Sequence, residues 1–168
     1  MIIKISSLAD GVYNYNFDEP VEEIGLDVPF FGNIKVDLEL SKANSQIVIK
    51  AKLKVGAKFE CDRCTAEFSS DLNSEYRMVY LADESPEESD SVNLAYLSPD
   101  ADKIDISVEV RDYALLAVPM KKLCSDGCKG LCPRCGIDLN KESCSCAEKE
   151  IDERWLPLME LKNKFNKN

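Results

Sequence analysis

The chain contains no histidine. That single absence removes the Ser-His-Asp and Cys-His forms of nucleophilic catalysis, and with them the side chain that ordinarily moves protons near neutral pH. No stretch approaches the roughly 18 consecutive apolar residues of a membrane-spanning helix. The opening MIIKISSLADG has no basic region followed by an apolar core, so no secretory leader is expected. Glycine is sparse, with seven residues in 168, and none forms a loop that could cradle a phosphate. Neither a 20- to 50-residue repeat nor a carboxylate pair at acid-base spacing is found. These gaps point away from an enzyme, from a small-molecule substrate and from the membrane, and toward a cytoplasmic binding protein.

Cysteine, by contrast, is plentiful, with eight residues. A chain this long buries a core without covalent staples, and in a reducing compartment close cysteine pairs read as metal ligands or redox pairs before structural disulfides. Charge is unbalanced too: 21 basic against 31 acidic residues leave a formal −10. Taken by thirds, residues 1–60 carry 7 basic and 9 acidic, residues 61–120 carry 4 and 14, and residues 121–168 carry 10 and 8, which puts the acidity in the middle. If eight thiolates hold two zinc ions, the total falls by about 4 more. Such a chain is a poor non-specific ligand for phosphate backbones, so its partner is expected to be a basic protein, or nucleic acid through a locally basic face.

The apolar pattern predicts an α+β protein: an antiparallel sheet or partial barrel with a packed helix and a cysteine-rich, zinc-binding C-terminal segment. Ile34, Val36, Leu38 and Leu40 alternate with Lys35, Asp37 and Glu39, and Ile47, Ile49, Ala51, Leu53 and Val55 alternate with Lys50, Lys52 and Lys54. A turn falls at 41–45. A third strand is expected through Lys58–Cys61 and a fourth through Phe68, Leu72, Tyr76, Met78 and Tyr80. The acidic, proline-broken stretch at 82–91 reads as an exposed loop. Ser107 is placed to cap a helix over 107–118, with Glu109 in its first turn and Pro119 beyond its end. Its residues Val108, Tyr113, Leu115, Leu116 and Val118 are expected to pack on the sheet. Residues 1–120 then form the sheet unit. Residues 121–168 form the cysteine-rich segment and a terminal helix near 152–165, striped by Trp155, Leu158, Met159, Leu161 and Phe165.

The cysteines fall as Cys61-x2-Cys64, Cys124-x3-Cys128-x3-Cys132-x2-Cys135 and Cys144-x-Cys146. Two-residue spacing lets both sulfurs of a tight turn face one ion at about 2.3 Å, and eight thiols make two complete tetrahedral sets. Cys132-Pro-Arg-Cys135-Gly136 has the strongest form, with glycine letting the backbone approach the sulfurs. Cys61-Asp-Arg-Cys64 lies between predicted strands. A redox C-x-x-C normally opens a helix instead, where the dipole lowers the thiol pKa. One partition groups Cys132, Cys135, Cys144 and Cys146 locally and joins Cys61 and Cys64 to Cys124 and Cys128. The other groups Cys124, Cys128, Cys132 and Cys135 and sends Cys61 and Cys64 to Cys144 and Cys146. The first is preferred, because CPRCG and CSC are joined by a loop short enough to close on itself, although spacing alone does not settle ligation. Lys50, Lys52 and Lys54 form a one-sided basic row, and Lys121, Lys122, Lys129 and Arg134 surround the cysteines. Each group suits either nucleic-acid contact or plain compensation and solvation.

FECDRCTAEF, VRDYALLAVP and CKGLCPRCGIDLNKESCSC followed by DERWLPLMELK together resemble the bacterial YceD family, the large ribosomal RNA subunit accumulation proteins, over roughly residues 30–165. The resemblance implies a non-catalytic role in large-subunit assembly that supports 23S ribosomal RNA accumulation. The partner is then a large-subunit ribosomal protein or the ribosomal RNA itself. The acidic middle suggests escort of a basic ribosomal protein, with direct RNA binding as the competitor. A reading of another class is a redox-switched zinc chaperone, which releases metal on oxidation. A zinc hydrolase would need an open ligand position, and two four-cysteine sites leave none.

Overall fold

A computed structural model describes residues 1–44, 46–82, 93–98 and 100–146, together with Arg154 and Leu158. The expected acidic loop and terminal helix lie almost wholly outside the described residues.

Seven strands and one helix are found among these residues: β1 (Ile2–Lys4), β2 (Gly11–Pro20), β3 (Phe30–Ala43), β4 (Gln46–Glu60), β5 (Glu67–Ala82), β6 (Leu94–Leu97), β7 (Lys103–Asp105) and α1 (Ser107–Leu116), with a 3-10 turn at Val21–Ile24. Five strands form one sheet in the order β2-β3-β4-β5-β6, and β1 pairs with β7. All pairs are antiparallel but one: β6 runs parallel to β5. The architecture is thus a mostly antiparallel, mixed sheet carrying one helix.

The alternation seen in the sequence sets the two faces. Ile34, Val36, Leu38 and Leu40 of β3 and Ile47, Ile49, Ala51, Leu53, Val55 and Ala57 of β4 are all buried on the core side, as the period of two requires. What reads as a second and a third strand is one 15-residue strand, β4. Gly56 allows this continuity, because a side chain there would strike the Phe31 ring at 2.9 Å, and the ring lies over the glycine as a local lid.

Helix α1 meets the expectation in part: Tyr113, and Val118 just beyond its end, pack against the core, but three of the residues expected there do not. Val110 and Ala114 are fully buried, whereas Val108, Leu115 and Leu116 are 55%, 51% and 76% exposed. The apolar residues of this segment are spread around the helix, and a close approach to β5 selects the side carrying small groups. Tyr113 stacks on Tyr76 of β5 at 4.7 Å and sets that spacing. Ser107 is the first helical residue and not the cap; the Asp105 carboxylate accepts its backbone N–H at 3.0 Å and its hydroxyl at 2.7 Å. The helix ends at Leu116, two residues before the expected boundary.

Candidate metal centres

Strand β4 ends at Glu60 and β5 begins at Glu67, so Cys61 and Cys64 occupy the tip of the longest hairpin of the sheet. The tip has a defined hydrogen-bond pattern: the Cys61 N–H donates to Ala66 O at 2.9 Å, and the Thr65 N–H donates to Cys61 O at 2.9 Å. Thr65 must adopt φ +58° to close it. The tail repeats this pattern at Cys132, whose N–H donates to Ile137 O at 2.8 Å while the Gly136 N–H returns to Cys132 O at 2.9 Å. There Gly136 takes the left-handed position with φ +73°, and a bridge between Leu131 and Asp138 replaces the strand pair. CDRCTA and CPRCGI therefore fold into the same turn, one mounted on the sheet and one on the tail. A strand-to-strand turn also lacks the helix start on which redox C-x-x-C motifs depend.

The tail lies against the hairpin tip through several specific contacts. Asp62 N–H donates to Lys122 O at 2.8 Å, and Lys122 N–H donates to the Asp62 carboxylate at 2.7 Å. Leu131 N–H donates to Arg63 O at 2.9 Å, and the Arg63 guanidinium donates to Cys128 O at 2.7 Å. Gly130, buried with φ +77°, lies so close to Arg63 that an added Cβ would sit 2.9 Å from its carbonyl oxygen. Asn140 completes the frame: its side chain accepts the Lys129 N–H at 2.7 Å and donates toward the Cys128 sulfur at 3.4 Å.

This frame gathers the thiols into two sets, Cys61, Cys64, Cys124 and Cys128, and Cys132, Cys135, Cys144 and Cys146, with all sulfurs of a set within 4.8 Å of one another. This is the grouping of the first partition. The closest sulfurs are 3.8 Å apart for Cys61 and Cys128, 3.6 Å for Cys64 and Cys124, and 3.5 Å for Cys132 and Cys144. A disulfide would bring sulfurs to about 2.0 Å, and all eight cysteines are free. Four sulfurs each about 2.3 Å from a common centre define a tetrahedron with edges of about 3.8 Å. Both sets could hold a metal ion on that geometry. In the first set Cys61, Cys64 and Cys128 are buried, and in the second only Cys132 is.

Local electrostatics favour a dication. The backbone N–H of Cys124 is the main cause lowering the Cys61 thiol to about 6; burial opposes it, and the Arg63 and Cys64 amides assist. The amides of Cys135 and Arg134 likewise lower Cys132 to about 6. At Cys64 the Ala66 amide pulls downward, but burial and the neighbouring Cys61, Cys124 and Cys128 thiols outweigh it and raise the group to about 12. Cys146 is raised to about 12, first by Cys135 and then by burial and Cys132. In each set one thiolate forms readily, at Cys61 or Cys132, while Cys64 or Cys146 resists following, because burial and neighbouring thiols disfavour a second charge in a confined space. A divalent cation reverses the sign of that interaction.

The basic residues are less concentrated than the sequence pattern suggests. Lys50 pairs with Glu39 at 3.2 Å and Lys54 with Asp71 at 2.7 Å, while Lys52 lies opposite Asp37 on one side and Glu75 on the other. The shallow groove along this solvent face, of about 770 Å³, is lined by acids and bases in alternation. Around the thiols, Lys121, Lys129 and Arg134 are exposed and the Lys122 ammonium lies over the Phe59 ring at 5.6 Å. Arg63, Gly130 and Asn140, which hold tail to hairpin, escape a reading that looks only for ligands; the Asp138-x-Asn140 turn, closed by an Asn140 N–H to Asp138 bond of 2.9 Å, was the available signal.

A family model described as "Large ribosomal RNA subunit accumulation protein YceD" matches residues 49–162. "Large ribosomal RNA subunit accumulation protein YCED homolog 1, chloroplastic" of Arabidopsis thaliana is 23% identical over 166 residues, covering 83% of this chain and 51% of that protein. The homolog of the same name from Zea mays is 44% identical over 55 residues, 32% of this chain and 19% of its own length. An uncharacterized protein of Mycobacterium tuberculosis is 23% identical over 133 residues, covering 76% of this chain and 61% of that one. The chain thus spans between half and two thirds of the Arabidopsis and mycobacterial relatives. No solved structure matches. Among the described residues, no helix is long and apolar enough to cross a membrane.

Proposed function

Since the chain belongs to the YceD family of large ribosomal RNA subunit accumulation proteins, we propose that it is a non-catalytic zinc-binding factor that supports accumulation of large-subunit ribosomal RNA by binding a basic ribosomal protein. The carrying observation, beside the family match over residues 49–162, is the pair of four-thiol sets. Cys61, Cys64, Cys124 and Cys128 would hold one zinc and Cys132, Cys135, Cys144 and Cys146 the other. Zinc there supplies charge neutralisation and cross-linking, and four thiolates fill a tetrahedral site, leaving no ligand position for a reacting water. The first ion would fasten the tail to the sheet, and the second would close the tail on itself.

A protein partner is favoured over RNA by charge. The lysine row is answered residue by residue by Glu39, Asp37, Glu75 and Asp71, so it offers no continuous positive track for a phosphate backbone. Each filled set keeps a formal −2, which Lys121, Lys122, Lys129 and Arg134 offset. Two measurements test the reading. Elemental analysis of the purified protein gives two zincs per chain, falling to one in C61S/C64S. Depleting the protein in its own cells lowers mature 23S ribosomal RNA relative to 16S, and unchanged RNA on full depletion removes the assembly role.

A further inference from the structure

Strand β2 is an edge. It pairs with β3 from Gly11 to Pro20, and among the described residues no strand lies on its other side. Every second pair of its backbone N–H and C=O groups therefore faces outward, which is the template that extended peptides add to. Edges of this kind are normally blunted by shortness, by lysine, by internal proline or by a bulge. β2 has ten residues, no lysine, a proline only at its last position, and an unbroken register with β3.

Its two faces are both unfinished. On the core side Tyr13, Tyr15 and Phe17 are half-buried against the hydrophobic core, and Tyr15 stacks on Phe17 at 6.5 Å. Each of the three rings is only partly covered. On the solvent side stand Asn14, Asn16 and Asp18, with Asp37 of β3 receiving a hydrogen bond from Asn16. The flanking chain is uniformly acidic: from Ile5 to Ile34 there are six acidic residues, Asp10, Asp18, Glu19, Glu22, Glu23 and Asp27, and no basic one. The nearest cations are engaged. Lys42 donates inward to the carbonyls of Ile5 and Leu8 at 3.0 and 2.7 Å, and Lys35 lies 3.9 Å from Asp18.

We infer that β2 is the docking edge for an extended basic segment of a protein partner, which adds as a sixth strand to the sheet. Its apolar side chains cover Tyr13, Tyr15 and Phe17, and its alternate Lys or Arg side chains meet Asn14, Asn16, Asp18 and Asp37. Main-chain hydrogen bonds supply the attachment, and the two faces of the edge read the alternation. The inference deepens the proposed binding role and rests on it for the origin of the partner, not for the existence of the site.

The test titrates a capped ten-residue peptide of alternating Lys and Val into the zinc-loaded full chain at low salt, following affinity and backbone amide exchange. Amides within Gly11–Glu19 gain at least tenfold protection, binding weakens as salt rises, and N16K/D18K weakens it at least tenfold, while E75K, across the same face, changes it less than twofold. A peptide N-methylated at alternate residues, which cannot complete the ladder, fails to bind. Equal binding of a Glu-Val peptide overturns the proposal, as does protection confined to other segments. Preferential protection of β2 by a single-stranded RNA oligonucleotide overturns it in favour of RNA. Protection that rises with protein concentration before peptide is added overturns it in favour of a second copy. If depletion leaves ribosomal RNA unchanged while the peptide still binds the edge, the assembly reading fails and the edge stands. If depletion lowers it and the peptide does not bind, only the edge fails.

Discussion

Gly130 is where the tail touches the hairpin most closely, so Gly130→Ala probes the junction. Its φ of +77° is a left-handed conformation, which costs an alanine about 1 kcal/mol or more. The new Cβ would also stand 2.9 Å from Arg63 O and 3.3 Å from Arg63 Cβ. Both atoms belong to the backbone or its root in a tight turn, so they cannot rotate away and the segment must lift. Lifting loosens the Leu131 to Arg63 hydrogen bond, worth about 1 kcal/mol. Together these predict about 2–3 kcal/mol less local stability, or a 30- to 150-fold loss of amide protection at Leu131 and Asp62 in hydrogen exchange of the zinc-loaded protein. Gly136→Ala is the matched control: its φ is +73°, yet an added Cβ meets nothing within 4 Å. It should cost about 1 kcal/mol within its own turn and leave the Leu131 amide nearly unchanged. Equal losses at Leu131 in the two variants would refute the claim that close approach to Arg63 fastens the tail.

Other outcomes follow from the site and core. Zinc affinity in chelator competition should fall with acid, and its slope against pH should steepen by about one proton per site below pH 6. Cys61 and Cys132, lowered to about 6, are already ionised above that pH and must lose a proton to the metal only below it; a slope constant from pH 8 to 5 contradicts this. The same depression favours the metal-stripped fold above the unfolded thiol pKa and that contribution is lost as pH drops through about 6. In the core, Ile49→Ala on the fully buried centre of β4 should lower unfolding free energy by about 3 kcal/mol in chemical denaturation, and a loss below 1 kcal/mol would mean the sheet repacks.

Legibility in the sequence followed burial. Strands β3, β4 and β5 announce themselves because one face of each is largely buried, so polar and apolar residues alternate over most of their length, with exceptions such as Val48 and the core-side Ser70 and Ser74. β2 does not, since its core side is only half covered and its composition, GVYNYNFDEP, has one β-branched residue among asparagines and acids. Helix α1 misled in another way: its leucines, Leu115 and Leu116, face outward, and the buried Val110 and Ala114 are chosen by how near the backbone must come to β5. The cysteine grouping needed the third dimension too. The short loop between CPRCG and CSC favours the first partition without settling it, and the contacts of the tail with the hairpin tip, Asp62 to Lys122, Arg63 to Cys128 and Gly130 against Arg63, go with that grouping. Counting charge by thirds concealed the acid run along β2, because the lysines of β3 and β4 fall in the same third.

Three residues separate Cys128, in one thiol set, from Cys132, in the other. Closing either set therefore confines the chain that must close the other, and raises the effective concentration of the remaining thiols around their own ion without any direct contact between the centres. Metal should accordingly enter and leave with positive cooperativity. Under a falling zinc supply the tail would detach as a unit, and intermediates carrying one ion would be scarce.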